Sequence, residues 1–88
     1  MAVRFEVIEI SQWVEQKING KHHISADEIV ETCDNGPEYV WALNPMGVEQ
    51  LLCRGVTDSG RVIEFALYPI EVDAGEWRLA TAYAHRVR

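Results

Sequence analysis

Residues 21–29 read Lys21-His22-His23-Ile24-Ser25-Ala26-Asp27-Glu28-Ile29. Ser25 and Glu28 have the spacing of a capping box. In that motif the Ser hydroxyl accepts an orphan N–H of the first helical turn, and the Glu carboxylate reaches back to the N–H of the cap. Ile24 before the cap and Ile29 inside the first turn add a hydrophobic staple. The stretch therefore predicts a helix that opens at Ser25 and carries Ile29, Val30 and Cys33 on its apolar face. Asp34-Asn35-Gly36-Pro37 ends it, since glycine and proline do not continue a helix.

Toward the N-terminus, Asn19-Gly20 predicts the end of an earlier helix over 12–19, with Ser11 as N-cap and Trp13, Val14 and Ile18 as its apolar edge. Residues 3–10 alternate and predict a strand with Val3, Phe5 and Val7 on one face and Arg4, Glu6 and Ile8 on the other.

Beyond Pro37 the signals are those of strands. Glu38–Leu43 is rich in aromatic and β-branched residues, and Asn44-Pro45-Met46-Gly47 is a turn. A strand over 48–57 follows, then a tight connection at Asp58-Ser59-Gly60. Residues 61–70 are apolar enough to be buried on both faces, which predicts a central strand, with Pro69 at its end. Asp73-Ala74-Gly75 turns the chain into a last strand, 76–84. Its alternation predicts Trp77, Leu79, Thr81, Tyr83 and His85 on one face and Glu76, Arg78, Ala80, Ala82 and Arg86 on the other. The order predicts an α+β domain: a twisted, mainly antiparallel sheet with two N-terminal helices on one face.

The 88 residues are read as one domain, 1–88. No apolar run approaches the ~20 residues that cross a membrane. Glu6 and Glu9 interrupt any signal-like segment, so a cytoplasmic location is expected. Cys33 and Cys53 form no C-x-x-C pair and read as reduced, buried thiols. Adjacent His22 and His23 do not share a face, and no ligand spacing for a metal or cofactor is present.

The net charge of −6 counts against a phosphate-gripping surface, but the charges are segregated. No basic residue lies between Lys21 and Arg54, a span that holds Asp27, Glu28, Glu31, Asp34, Glu38 and Glu49. From Trp77 onward there is no acid, while Arg78, Arg86 and Arg88 are present with His85. The acidic stretch is either a solvated helix face or a receiver for a basic partner.

No phosphate loop, nucleophile elbow or HExxH motif occurs. The remaining polar residues suit RNA cleavage without metal. That reaction needs a base for the 2′-hydroxyl, a cation for the charge growing on phosphorus and an acid for the leaving oxygen. His22, His23 and His85 are candidate proton carriers, and Arg54, Arg61 and Arg78 candidate phosphate holders. Tyr83 is a candidate acid or stacking group. Each also has a structural role available: His23 as a helix-end residue, Arg61 as a hairpin ion pair, Tyr83 as core. Arg78 is preferred as the phosphate cation, because its neighbours on the predicted face are alanines.

Lys21-His22 before the helix start, the hairpin Thr57-Asp58-Ser59-Gly60-Arg61, and Arg78 followed by Thr81-Ala82 together resemble the BrnT-like toxins of the RelE/ParE group. The resemblance runs roughly from Lys21 to Tyr83. It implies a RelE-like fold, a ribonuclease that stops translation by acting on RNA or at the ribosome, and a cognate DNA-binding antitoxin. The family pattern has an Arg directly after the Thr-Ala pair and then a basic C-terminal helix. Here that Arg position is Tyr83, and five residues follow it. Two readings result: a ribonuclease toxin, or a catalytically inactive relative that keeps a protein-binding or regulatory surface.

Overall fold

The capping box predicted at residues 25–28 is formed. Ser25 Oγ accepts the Glu28 N–H at 3.2 Å, and Glu28 Oε1 accepts the Ser25 N–H at 3.1 Å. The computed structural model describes residues 3–84. Its elements are β1 (Val7–Glu9), α1 (Gln12–His22), α2 (Ala26–Asp34), β2 (Glu38–Leu43), β3 (Glu49–Val56), β4 (Val62–Glu71) and β5 (Glu76–Ala84). The sheet order is β1-β5-β4-β3-β2. All neighbouring pairs are antiparallel except β1 with β5. The molecule is thus an α+β domain with two helices on one face of a mostly antiparallel sheet, and β4, the apolar strand expected at the centre, is the middle one.

The helices and the sheet close around one core. Ile18, Ile24, Ile29 and Cys33 from the helical half meet Leu51, Cys53, Ile63, Phe65, Leu67, Trp77, Leu79 and Ala82 from the sheet. The approach of α2 is close enough to fix a glycine inside β3. A Cβ on Gly55 would stand 2.5 Å from the Thr32 methyl and 3.0 Å from Pro37 Cβ. Here the strand residue is glycine because a neighbouring element lies against its backbone.

Three local expectations fail, each for a tertiary reason. First, α1 continues through Asn19-Gly20 and ends at His22, with His23 as a left-handed C-cap at φ 54°. The Arg61 guanidinium decides the stop. Its Nη2 donates to the His22 carbonyl and its Nη1 to the His23 carbonyl, both at 2.7 Å. These donors satisfy carbonyls that a helix end otherwise leaves orphaned, and they offset the cost of about 1–2 kcal/mol for a left-handed residue with a side chain.

Second, β1 is only Val7–Glu9, and it pairs parallel to β5. Residues 3–6 run beneath the core instead. Phe5 packs on Trp77 and Tyr39, with ring centroids 6.0 and 6.2 Å apart. The Trp77 indole N–H donates to the Arg4 carbonyl at 2.8 Å. Burying an indole requires a partner for that N–H, and the N-terminal backbone supplies it.

Third, β5 does not keep one alternation. Ala66 pairs with Thr81 but Leu67 pairs with Leu79, so Ala80 is an extra, bulged residue. A bulge moves every following side chain to the other face. Trp77, Leu79 and Ala82 are buried in the core, whereas Thr81 and Tyr83 share the far face with Ala66 and Glu64. Ala82 therefore does not lie beside Arg78. A second irregularity, between Pro69 and Glu71, lets β4 run past its proline.

Candidate functional site

The bulge produces the site. The sheet face away from the helices is uncovered, and cross-strand partners on it fall into rows. The first row is Glu38–Arg54–Glu64–Tyr83, and the second is Val40–Leu52–Ala66–Thr81. The third joins Tyr68 on β4 to Arg78 on β5 and Glu9 on β1. Adjacent strands stand about 4.8 Å apart, so each row is a line of close neighbours. Two polar ridges flank an apolar trough.

The trough widens into a groove of about 790 Å³, walled by both hairpins and by the start of the last strand's outer half. Its rim at the β2–β3 turn is ordered by Asn44. The Asn44 carboxamide oxygen accepts the Met46 and Val48 N–H groups, both at 2.9 Å, and its amide donates to the Tyr68 hydroxyl at 3.2 Å. This places Met46, 88% exposed, at the groove mouth.

At the opposite end stand Arg54, Glu64 and Tyr83. The Tyr83 hydroxyl hydrogen-bonds the Glu64 carboxylate, and that bond holds the phenol's pKa above its ordinary value, with slight burial and the carboxylate's charge adding to it. The His22 ring lies 6.5 Å from the Tyr83 ring, centroid to centroid. Arg54 takes part in none of the ion pairs among the described residues, which are Arg4–Glu6, Arg61–Glu28 and Arg78–Glu9. A guanidinium, a carboxylate and a phenol thus share one row at one end of an open groove, and an imidazole stands beside the phenol.

The residues singled out in the sequence separate in space. Tyr83 and Arg54 line the groove, and His22 stands beside Tyr83. His23 does not line it; its side chain is exposed and its backbone closes α1. Arg61 is a structural clamp. Besides the two helix-end carbonyls, its Nη1 reaches both Glu28 carboxylate oxygens at 3.0 Å. The partner is thus a helix carboxylate rather than one across the hairpin. Arg78, preferred above, lies on the far ridge and pairs with Glu9 at 3.3 Å. His85 lies outside the described residues.

Glu64 is the residue that sequence reading missed. Its signal was available: Thr57 and Arg61 close the turn around Ser59, and counting back along both strands places Glu64 opposite Arg54. The acidic stretch is also partly committed. Glu28 holds Arg61, and Glu31 accepts the Asp58 N–H at 2.9 Å.

Among the described residues no three His, Cys, Asp or Glu side chains gather as a metal site, and no helix is long and apolar enough to cross a membrane. No protein-family model, curated protein or solved structure matches the chain.

Proposed function

We propose that this chain is a metal-independent endoribonuclease of the toxin type, on a scaffold resembling the BrnT-like branch of the RelE/ParE group. The observation that carries the reading is the row Arg54–Glu64–Tyr83 at one end of the open groove, with the His22 ring beside Tyr83. His22 and Tyr83 are far apart in sequence, yet their rings stand 6.5 Å apart.

Each group has a chemical role. Glu64 takes the proton of the ribose 2′-hydroxyl as that oxygen attacks phosphorus. Arg54 donates to the non-bridging oxygens as negative charge grows on them. His22 returns a proton to the departing 5′-oxygen, and Tyr83 orients Glu64 and stacks on a base. The products are a 2′,3′-cyclic phosphate and a free 5′-hydroxyl. The cation is Arg54 rather than Arg78, which is held by Glu9 on the other ridge.

The test is cleavage of free or ribosome-bound RNA in EDTA, with product ends read by mass spectrometry, and growth arrest on expression. Arg54→Ala should lower the rate by about 10²–10³, while Arg78→Ala should leave it nearly unchanged. The reverse ranking would move the site to the far ridge. Absence of both cleavage and growth arrest would end the enzyme reading.

The second reading is a catalytically inactive relative that binds a protein. The apolar trough favours it, because Val40, Leu52 and Ala66 give a phosphate backbone nothing to hold, and the net charge is −6. Under either reading the expected partner is an antitoxin-like protein, and the expected location is the cytoplasm. A neighbouring small DNA-binding protein that co-purifies and protects the groove from proteolysis or exchange would support that pairing.

A further inference from the structure

The two edges of the sheet are treated differently. At one edge the three-residue β1 covers Glu76–Arg78 of β5 and leads into α1, whose contacts with β5 lie along the same side. The other edge is β2, six residues in unbroken register with β3. Its sequence, Glu38-Tyr39-Val40-Trp41-Ala42-Leu43, has no proline, no lysine and no bulge. Those are the devices that keep an edge from pairing with another chain. Its apolar side chains are exposed well beyond core values: Val40 by 60% and Leu43 by 69%, with Tyr39 and Trp41 near 40% (41% and 39%).

The hydrogen-bond phase of this edge is fixed. Asn44 donates its N–H to the Val48 carbonyl at 2.9 Å. Bonded pairs alternate along an antiparallel ladder, so the even-numbered residues of β2 bond to β3. Tyr39, Trp41 and Leu43 turn their N–H and C=O groups to the open edge. An incoming antiparallel strand must meet those three residues.

We propose that this edge pairs with the same edge of a second copy of the chain, joining two five-stranded sheets into one. The strand is complementary to itself about a two-fold axis at Trp41. Trp41 then bonds to Trp41 of the second copy, and Tyr39 to Leu43 of the second copy. Val40 packs against Ala42 of the second copy on the groove side. Every side-chain pair within the strand is apolar on apolar. The one carboxylate, Glu38, falls opposite Asn44 of the second copy, so no like charges meet despite the net charge of −6. Isologous pairing of this kind closes after two copies and leaves no further edge of β2 exposed.

The experiment is sedimentation equilibrium over a concentration series, with circular dichroism to confirm folding. The wild-type chain should approach twice its 10.0 kDa mass. Leu43→Lys places two ammonium groups at the seam and should raise the dissociation constant by about tenfold or more. Leu43→Pro removes an outward N–H from each copy, so the β2–β3 ladder stays intact while the seam loses two bonds along with the Leu43 side chains. It should also give a folded monomer. A wild-type monomer up to about 1 mM would overturn the proposal and leave the edge to a different chain. Undiminished dimers of both folded variants would overturn it equally.

Discussion

The two faces of the sheet are built from the same strands and differ in almost every physical respect. On the helix-covered face Leu51, Ile63, Leu67 and Trp77 have no exposed surface, and even the Trp77 indole N–H has its acceptor. On the open face Leu52, Val40 and Tyr83 remain 39–60% exposed, and charged residues stand beside apolar ones. Period-two alternation assigns residues to the two faces, and the bulge at Ala80 changes that assignment midway along β5. One face therefore holds the fold together. The other leaves most of its large side chains partly in solvent.

The sharpest way to break this comparison is a paired truncation. Trp77 packs on Phe5 and on Trp41, the latter at 5.6 Å between ring centroids. Trp77→Ala should lower stability by about 3–5 kcal/mol, a large part of the 5–15 kcal/mol typical of a domain (roughly that range). Leu52→Ala on the open face, 39% exposed, should cost under about 1.5 kcal/mol. Urea denaturation midpoints measure both. Equal losses would mean that the open face is as much a core as the covered one.

What the sequence revealed follows the same division. The capping box, the central strand and the order of elements rest on local patterns, and they appear in the structure where the patterns place them. The misread features rest on distant partners. No local signal announces that Arg61 will close α1, thirty-eight residues from His23 in sequence, or that Gly20 will stay helical. The bulge at Ala80 was hidden because alanine is small enough for either face. That one residue altered the predicted face of Arg78, since Ala82 turns into the core while Ala80 stays on the groove side. Arg54 and Tyr83 were both visible as candidates, but their place in one row through Glu64 depends on the strand register.

A smaller effect is expected where the helical half meets the β3–β4 hairpin. The Arg61 and Glu28 side chains are 30% and 23% exposed, so their pair is only partly screened. Arg61→Met should lower stability by about 2 kcal/mol, the range of hydrogen bonds to charged groups. Glu28→Gln should cost less, because Gln also serves at that position of a capping box. A double-mutant cycle isolates the link, and a coupling of about 1 kcal/mol or more is expected. A coupling near zero would show that the Arg61–Glu28 pair does not tie the hairpin to the helical half.

The smallest effect separates the two faces by pH. Burial raises both thiols of the covered face, Cys33 and Cys53, from 9.0 to about 12, with the neighbouring Cys53 and Asp34 adding to the effect at Cys33. A thiol is neutral when protonated. A folded pKa above the unfolded one therefore gives stability that is complete below pH 9 and is lost as pH rises toward about 12. At about pH 10, one unit above the unfolded value, part of that contribution should already be lost. Tyr83 on the open face also has a raised pKa, caused first by its bond to Glu64. Its stability contribution has the same sign, but 46% exposure of the residue leaves it largely screened by solvent. Melting temperatures between about pH 8 and 10.5 should thus fall to a similar extent for the wild type and for Tyr83→Phe. Cys53→Ala starts from a lower melting temperature because it removes buried volume, yet its curve should be shallower. If Tyr83→Phe flattens the alkaline limb and Cys53→Ala does not, the open face contributes to stability and the separation of the two faces fails.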